Sequence, residues 1–540
     1  MNSELQIKNF DFVIIGGGTA GNVIANRLTE DRNTTVLVIE AGPRNDDVSV
    51  NTTAPFFFPQ LSGVSPFNWN YTTIPQQSLD SRSLLYTSGH VLGGSSSLLG
   101  EFYTRGSSED YDRFAAFTGD SGWSWNSLQP YIRKNERWTA PRDDHDTTGQ
   151  FDPQVHGFNG ILSVSLAGFP HTTDSRVMQV TQELSGEFPF NLDMNSGHPI
   201  GLGWLQGTIN RGKRSSSATA YLAPTFLNRP NLHVVLNTRV TRVLPRVQGS
   251  LEFNTVEFTS GGAGAPVSKV TASKEIVLSA GLMGTPHILT YPGIGDRQQL
   301  SSIGVSTLLN LPDVGKNLSD HPLLSSSWFV NATNTEDDLL RNPTCSTLLL
   351  RSGFRTRLES WVIHEPRTSD GRGCHRMRQY STNSLTPLLA QTHHTLSFLS
   401  RWLHKMEHPP VVDPGYLNND FDRFSIREGV KQALRFVQAP AMRGYILQPF
   451  GALANATTDA QLDAFIRANT GPAFHGVGTA SMSPFNATFG VVDPDLRVKG
   501  VRGLRIVDAS VMPFVPAAHT QAPVYIIAER AADLIKAAWQ

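Results

Sequence analysis

The sequence predicts an α/β fold in which helices cover a largely parallel sheet, and three features lead to this prediction. Short apolar runs occur at residues 11–15, 36–39, 274–281 and 504–508. A helix-compatible stretch over residues 22–30 follows the first run, and another covers residues 523–538. Glycine-rich turns follow several of the runs. The runs are continuous, as expected for strands that are buried on both faces. With 540 residues, the chain is long enough to form two or more domains.

The first strand, turn and helix carry a dinucleotide-binding pattern. Gly16 permits a tight turn, Gly18 lets the backbone approach a pyrophosphate, and Gly21 lets helix and strand pack closely. The start of the helix then offers unpaired backbone N–H groups to the phosphates. Glu40 follows the second strand, where an acid accepts a hydrogen bond from a ribose hydroxyl. The dinucleotide contacts predicted in this unit are Gly16, Gly18, Thr19, Ala20, Gly21 and Glu40.

Composition and charge exclude several classes of partner. The formal net charge is −1, which gives no reason to expect binding to nucleic acid or to an anionic membrane. No apolar run in the sequence is long enough to span a bilayer. The chain has two cysteines, too few for a disulfide scaffold or a thiolate zinc cluster, and we expect no metal. We expect a monomer whose partners are small molecules.

Several further stretches, in the right order, match one family. They are residues 89–97 with 104–106, residues 279–286 with 292–295, residues 314–321, residues 474–482, residues 508–510 and residues 518–521. Together they resemble the glucose–methanol–choline (GMC) flavoprotein oxidoreductases. Residues 110–125 and 197–201 also fit the fungal aryl-alcohol oxidases, which the chain resembles most. The resemblance covers residues 9–338 and 410–536.

The resemblance implies FAD as the cofactor and a Rossmann-like FAD-binding domain with an inserted, mixed-sheet substrate domain. The FAD-binding domain is expected to be discontinuous, comprising residues 1–155, 205–318 and 470–540. Residues 156–204 and 319–469 are expected to form the substrate domain. Leu98 occupies the place where choline-type members carry a flavin-linking histidine, so the FAD is expected to be bound non-covalently.

Further cofactor contacts come from separate parts of the chain. A small, glycine-rich loop such as the one at residues 92–97 brings backbone N–H groups against a ring that accepts electrons. The strand at 274–281 is expected to end beside the cofactor, and Val240 to hold the adenine through its backbone. The additional residues predicted to bind FAD are Gly93, Gly94, Ser95, Ser96, Val240, Ala280, Asp508, Ala509 and Gln521.

Two histidines are the predicted catalytic residues. Alcohol oxidation removes a hydroxyl proton and a hydride from the same carbon, and an imidazole suits the first task because its pKa lies near neutrality. The resemblance implies His475 as the general base and His519 as the partner that orients the alkoxide. The expected reaction converts a primary alcohol, with aromatic alcohols among the candidates, to the aldehyde. Molecular oxygen, giving hydrogen peroxide, or a quinone accepts the electrons.

Two departures weaken the substrate assignment. Leu99 and Gly100 replace the His-Tyr pair of the aryl-alcohol group, so an aromatic wall is missing. Residues 341–408 have ten Lys or Arg against four Asp or Glu, both cysteines and six histidines. A basic docking surface, a metal site at Cys374 and His375, and a shifted reading frame or retained intron are three interpretations of this segment. We favour the third, because the composition of a buried sheet should not vanish within one intact domain.

Two classes of function therefore stay open. One is an FAD-dependent alcohol oxidase or dehydrogenase, supported by the two histidines in their motifs. The other is a flavin-binding homologue with a defective substrate domain, supported by residues 99–100 and 341–408. A nicotinamide dehydrogenase is less favoured, since it gives the C-terminal motifs no role. The resemblance implies a secreted glycoprotein, and the chain contains acceptor sequons, although residues 1–10 do not resemble a secretory signal.

Overall fold

The structure is a computed structural model that describes residues 9–46, 53–55, 58–168, 171–261, 264–332 and 410–540. The strands in the described ranges are β1 (Phe10–Ile15), β2 (Val36–Ile39), β3 (Tyr71–Thr72), β4 (Leu85–Tyr86), β5 (Glu136–Trp138), β6 (Leu162–Leu166), β7 (Gln206–Gly207), β8 (Ile209–Asn210), β9 (Lys213–Arg214), β10 (Leu232–Val235), β11 (Arg239–Pro245), β12 (Phe253–Thr259), β13 (Val267–Leu278), β14 (Ile294–Gly295), β15 (Leu309–Asn310), β16 (Pro322–Leu323), β17 (Trp328–Val330), β18 (Ile446–Pro449), β19 (Gly471–Pro472) and β20 (Leu504–Ile506). The α-helices are α1 (Thr19–Leu28), α2 (Phe58–Leu61), α3 (Ser108–Thr118), α4 (Trp125–Asn135), α5 (Asp174–Glu183), α6 (Ser217–Ala220), α7 (Pro224–Leu227), α8 (Gly281–Thr290), α9 (Arg297–Ser302), α10 (Asp420–Val437), α11 (Asp459–Asn469) and α12 (Gln521–Ala538).

A parallel sheet of five strands forms the centre of the molecule. Its order is β10, β2, β1, β13, β20, and each neighbouring pair is parallel. The first strand places Phe12 beside Val36 on one side and beside Glu275 on the other. Its side chains are almost wholly buried because helices cover the sheet, as the continuous apolar runs predict. The α/β fold with a Rossmann-like unit is therefore confirmed.

Strand β13 belongs to two ladders. Its C-terminal part pairs in parallel with β1 and β20, whereas its N-terminal part pairs antiparallel with β12, which in turn pairs antiparallel with β11. At 12 residues, the strand is longer than the apolar run at 274–281 predicts. The N-terminal part alternates between buried and exposed residues, as expected where one sheet face meets solvent. The central sheet is therefore mixed.

The first helix begins and ends earlier than the sequence pattern suggests. We expected it over residues 22–30, but α1 covers Thr19–Leu28 because Gly18 already serves as its N-cap. At its C-terminal end, the Thr29 hydroxyl donates to the carbonyls of Ala25 and Asn26 and closes the helix. The helix packs against α12, where the Arg27 guanidinium pairs with the buried Glu529 carboxylate at 2.8 Å. This pair fixes the chain's last helix onto the nucleotide-binding unit.

A second hydrophobic core lies around α10 and α11. It contains Trp328 of β17, Tyr416 and Ile426, together with Leu462 and Phe465 of α11. Strands β17 and β18 pair antiparallel at its edge. This part falls within the range expected for the substrate domain, and the domain boundaries stay a prediction. The segment 341–408 and its three interpretations lie outside the described residues. Within the described ranges, no helix combines the length and apolar character needed to cross a membrane.

Candidate active site

A cavity of about 1390 Å³ opens at the carboxyl ends of the parallel strands. This is where open α/β sheets bind their ligands. Of the seventeen residues predicted from the sequence, fourteen line the cavity: Gly16, Gly18, Thr19, Ala20, Glu40, Gly94, Ser95, Val240, Ala280, Asp508, Ala509, Gln521, His475 and His519. Nucleotide-binding and catalytic candidates therefore share one space.

The glycine turn has little room for side chains except at one position. Gly16 has φ +103°, and a Cβ there would lie 2.3 Å from the Ser279 carbonyl oxygen. A Cβ on Gly21 would lie 2.0 Å from the Gly16 carbonyl oxygen, which places Gly21 in the packing behind the turn. At Gly18, by contrast, a Cβ would meet no atom nearer than 3.9 Å. Gly18 therefore leaves a cradle at the start of α1, suited to a phosphate.

Glu40 is held by backbone amides at the end of β2. Its Oε2 accepts from the Gly17 N–H and its Oε1 from the Gly42 N–H, both at 2.8 Å. Burial raises the pKa of Glu40 to about 7, against these hydrogen bonds, which lower it. The carboxylate ties the glycine turn to the second strand and also lines the cavity. A hydrogen bond to ribose remains a prediction for this residue.

In the loop at residues 93–97, some residues line the cavity and others pack behind its surface. Gly94 and Ser95 line the cavity. The Gly93 N–H donates to the Gly17 carbonyl at 2.7 Å, and the Ser96 hydroxyl donates to the Gly93 carbonyl at 2.6 Å. Gly93 and Ser96, like Gly21, therefore support the cavity wall, and the loop is fastened directly to the nucleotide-binding turn.

Asp508 organises the loop that follows β13. Its Oδ2 accepts from the Gly281 N–H at 2.9 Å and from the Thr285 hydroxyl at 2.6 Å, and its Oδ1 accepts from the Ser510 N–H at 2.8 Å. Burial raises the pKa of Asp508. Ala280 and Ala509 flank it on the cavity surface, so small residues leave space beside a fixed carboxylate.

The cavity surface fits a dinucleotide with a flat ring. Gln521 donates from Nε2 to the Thr208 hydroxyl at 3.3 Å, while its buried Oε1 has no hydrogen-bond partner among the described residues. A buried acceptor without a partner is costly unless a ligand satisfies it. The Gly18 cradle and this acceptor lie on the same cavity. The residues present therefore fit FAD.

Three imidazoles form a chain at the other end of the cavity. His475 Nε2 lies 2.9 Å from His519 Nδ1, and His475 Nδ1 lies 3.0 Å from His321 Nδ1. The rings of adjacent members are nearly perpendicular. Since two Nδ1 atoms meet, one donates and the other accepts. If His475 donates there, its Nε2 lone pair is free to accept from His519 or from a ligand.

Distant segments position this histidine chain. Residues 319–323 pair antiparallel with residues 471–477, which brings the segment of His321 alongside that of His475. The His519 N–H donates to the Thr104 hydroxyl at 2.8 Å, just before α12 begins. The two predicted catalytic residues are therefore brought together, and His321 joins them.

Burial keeps the imidazoles neutral. It lowers the pKa of His475 well below 6.5, and the neighbouring His519 and His321 lower it further. Burial also lowers the pKa of His519 and of His321 to about 4. Neutral imidazole is the form that accepts a proton. The site thus holds a base ready over the whole neutral pH range.

A buried carboxylate lies behind His475. Both oxygens of Asp320 accept hydrogen bonds, from the backbone N–H groups of His321 and His475 and from the hydroxyls of Tyr86 and Tyr416. Burial raises the pKa of Asp320 to about 6, against the hydrogen bonds. Sequence reasoning did not predict His321, Asp320 or the tyrosines as site residues, although the motif at 314–321 contains the first two.

Aromatic side chains line the cavity beside the histidines, in spite of Gly100. The Phe102 ring lies 4.8 Å from the His519 ring, centre to centre. A Cβ on Gly100 would contact the rings of Phe102 and Phe58, both at 3.6 Å. Two phenylalanines therefore occupy the surroundings of the missing tyrosine. Leu98 also lines the cavity and offers no nucleophilic atom to a flavin.

The described residues show no group of three or more His, Cys, Asp or Glu side chains that could hold a metal ion. The three adjoining imidazoles contact one another through N···N distances of about 3 Å, which are hydrogen-bond distances. Their geometry therefore points to proton handling. The candidate at Cys374 and His375 lies outside the described residues.

Comparisons with known proteins identify the family. Residues 10–323 match the N-terminal domain and residues 399–528 the C-terminal domain of the GMC oxidoreductases. A dehydrogenase, eriK, from Hericium erinaceus is 40% identical over 583 residues, covering 99% of this chain and 95% of the relative. A pyranose dehydrogenase from Agaricus campestris is 40% identical over 563 residues, covering 98% and 93%.

Solved structures show the same fold. An FAD-dependent oxidoreductase from Chaetomium thermophilum superposes with a TM-score of 0.82 at 26% identity, covering 98% of this chain and 99% of that one. A fungal aryl-alcohol oxidase gives a TM-score of 0.78 at 25% identity, with the same coverage. Fold, cavity and sequence matches agree, and the chain belongs to the GMC oxidoreductase family, with FAD as its cofactor.

Proposed function

We propose that this protein oxidises a primary alcohol to the aldehyde, with an aromatic alcohol as the preferred substrate class. The observation that carries the proposal is the contact between His475 Nε2 and His519 Nδ1, 2.9 Å apart, on the cavity that holds the nucleotide-binding residues. An alcohol hydroxyl needs an acceptor for its proton and a donor for its oxygen, and these two atoms supply both when the hydroxyl replaces the hydrogen bond between them. Phe102 supplies a ring surface next to them.

His475 acts as the general base in this proposal. Its Nδ1–H donates to His321, which leaves Nε2 to accept the hydroxyl proton. His519 donates from Nδ1 to the oxygen that gains negative charge. FAD supplies the acceptor for the hydride that leaves the alcohol carbon. The carbon–hydrogen and oxygen–hydrogen bonds break, the carbonyl forms, and two electrons pass on to oxygen, giving hydrogen peroxide, or to a quinone, giving the hydroquinone.

A sugar is the second candidate substrate. Relatives that are 40% identical and span 98% of the chain carry the name pyranose dehydrogenase. The cavity also presents polar side chains, Glu101, Ser325, Ser327 and Gln432. These groups suit a substrate with several hydroxyls better than an apolar ring. Under this hypothesis, the same histidine pair oxidises a sugar carbinol and a quinone is the expected acceptor.

An anaerobic absorbance titration tests the proposal. Purified protein is titrated with benzyl alcohol, 1-butanol and glucose, and the flavin band is followed. We expect benzyl alcohol to bleach it at the lowest concentration. Preferential bleaching by glucose supports the second candidate, and a yellow protein that no substrate reduces supports the catalytically impaired homologue. Adding oxygen or benzoquinone to the bleached protein then identifies the acceptor.

A matched variant separates chemistry from folding. His475→Ala is expected to stay yellow and to resist bleaching. His198, an exposed histidine that does not line the cavity, provides the control. His198→Ala should be bleached like the wild type, and bleaching of His475→Ala at the wild-type rate would contradict the assigned base.

A further inference from the structure

Asp320 is a fully buried carboxylate that does not line the cavity but touches the residues that do. Its exposed fraction is 0%, and it lies directly before His321 in the segment that pairs with residues 471–477. A buried charge is costly unless hydrogen bonds and nearby groups compensate it. The groups that donate hydrogen bonds to Asp320 therefore indicate the role of this charge.

One carboxylate oxygen holds two histidine backbones. Asp320 Oδ1 accepts from the His321 N–H and from the His475 N–H, each at 2.8 Å. These residues are 154 positions apart, yet their amides converge on one atom. A shift of this oxygen would move both backbones. It would change the 3.0 Å contact between the two Nδ1 atoms, which sets the tautomer of His475.

The other oxygen is held by two tyrosines. Asp320 Oδ2 accepts from the Tyr86 hydroxyl at 2.8 Å and from the Tyr416 hydroxyl at 2.5 Å. Tyr86 also packs against Gly476, the residue that follows His475. A Cβ on Gly476 would lie 2.4 Å from the hydroxyl oxygen of Tyr86. Four donors on two oxygens match an ionised carboxylate, which only accepts. The geometry therefore describes an anion that is hydrogen-bonded to the backbone of His475.

We propose that Asp320, fixed by Tyr86 and Tyr416, is the positioning residue of the base: it sets the place of His475 and stabilises the imidazolium formed when His475 takes the alcohol proton. This inference rests on the proposed function. The anion acts through the histidine backbones and through space, and it does not contact the substrate. Removing the charge should therefore slow proton removal and leave substrate binding nearly unchanged.

Asp320→Asn tests the charge while it keeps the shape. The amide oxygen still accepts from both backbones, and the amide nitrogen faces the tyrosine hydroxyls, which also accept. We expect the limiting rate of flavin reduction to fall about tenfold or more, as for loss of a hydrogen-bonded charge, with the KM for the alcohol changed less than about threefold. We also expect the acid limb of the pH–rate profile to move about one pH unit lower. A nearby anion raises the pKa of an imidazole, and the variant removes that anion.

The direction of this pH shift distinguishes positioning from a general structural role. Within the part of the chain that the structure describes, Asp320 meets the titratable groups Tyr86 and Tyr416, and His475 meets His321 and His519. None of them changes in Asp320→Asn. A variant that is merely destabilised loses FAD or active fraction without moving the acid limb. A limb that stays in place, or an unchanged limiting rate, would overturn the inference.

Tyr416→Phe keeps the inference testable if Asp320→Asn does not fold. Losing one donor on Oδ2 raises the pKa of Asp320, so more of it is neutral at pH 6 than at pH 8. The limiting rate should fall more at pH 6 than at pH 8. Equal effects at both pH values would overturn the inference.

Asp422→Asn is the matched control for Asp320→Asn, since Asp422 is buried, has a pKa raised by burial to about 6 and lies off the cavity. The rate of this variant and the acid limb of its pH–rate profile should match the wild type.

The two proposals fail in distinguishable ways. A wild-type protein that no alcohol or sugar reduces removes the proposed oxidation and this inference with it. A wild type that is reduced, beside an Asp320→Asn variant reduced equally fast with the same pH profile, leaves the oxidation intact and overturns the inference alone.

Discussion

Backbone atoms form one end of the cavity, and side chains form the other. At the nucleotide end, backbone atoms form most of the surface. Gly18 leaves a cradle beside the first amides of α1, and two backbone N–H groups donate hydrogen bonds to the Glu40 carboxylate. At the histidine end, buried side chains form the surface, with three imidazoles in one chain and Asp320 behind them. The first end is therefore governed by space and backbone conformation, and the second by desolvation and proton transfer.

The largest expected effect comes from removing the base. His475→Ala should lower the limiting rate of flavin reduction about 10²- to 10⁴-fold, the usual contribution of a general base. FAD content should stay at the wild-type level, because the nucleotide end does not depend on His475. Stopped-flow reduction and the ratio of flavin to protein absorbance measure the two quantities. Loss of FAD together with activity would show that the two ends are not separable.

The complementary change acts on the nucleotide end. Gly18→Val should abolish FAD retention, because its side chain would enter the cradle where a Cβ has no neighbour within 3.9 Å. Gly18 has φ −84°, so the backbone tolerates a side chain and the apoprotein should keep its melting temperature. Gly16→Ala is the comparison. With φ +103° and a Cβ 2.3 Å from the Ser279 carbonyl oxygen, it should lower the melting temperature as well. Equal melting temperatures for Gly16→Ala and Gly18→Val would contradict this distinction.

The pH dependence tests the desolvated histidine end. In the proposed reaction, reduction needs neutral His475, whose pKa lies well below 6.5, so protonation of His475 should not slow the reaction until the pH is well below that value. At pH 6 we expect about half or more of the rate at pH 8, because Asp320, with a pKa of about 6, is then about half neutral. An unshifted imidazole would retain about a quarter of its neutral form there. A midpoint at 6.5 or above would show that burial does not depress this pKa.

The smallest expected effect concerns the aromatic wall. Phe102→Leu keeps an apolar side chain but removes the ring, and it should raise the KM for benzyl alcohol about two- to tenfold, as expected for losing an aromatic pair. The KM for 1-butanol should change less than about twofold. Steady-state kinetics with the two alcohols measure the difference. An equal change for both would mean that Phe102 contributes bulk and no selectivity for rings.

The nucleotide end could be predicted from the sequence because its determinants are local. Gly16, Gly18, Gly21 and Glu40 act through backbone geometry within one strand, turn, helix and strand. A backbone that must turn tightly or approach a phosphate requires glycine at fixed spacings, and the sequence displays that spacing directly. Strand β2 was predicted residue for residue, since an apolar run between polar turns has unambiguous ends.

The histidine end could be predicted only in part. His475 and His519 follow from the family resemblance, and the structure brings them to 2.9 Å. Tyr86, Asp320 and Tyr416 were not predicted, because their hydrogen bonds exist only once segments 96 and 234 residues apart have packed. Likewise, β11 and β12 form a ladder that the apolar runs do not display, since their half-exposed residues break the continuous pattern.

The segment at residues 98–106 contributes two contacts to His519, one of the two proposed catalytic residues. It carries Phe102 against the His519 ring, and Thr104, whose hydroxyl accepts from the His519 N–H at 2.8 Å. Under the proposed function, a change at Phe102 therefore also alters the surroundings of the residue that orients the alkoxide. Phe58 reaches the same space from α2, a separate element. Under the proposed function, Phe58 is therefore a second position at which selectivity for rings can change, on an element that carries neither Phe102 nor Thr104.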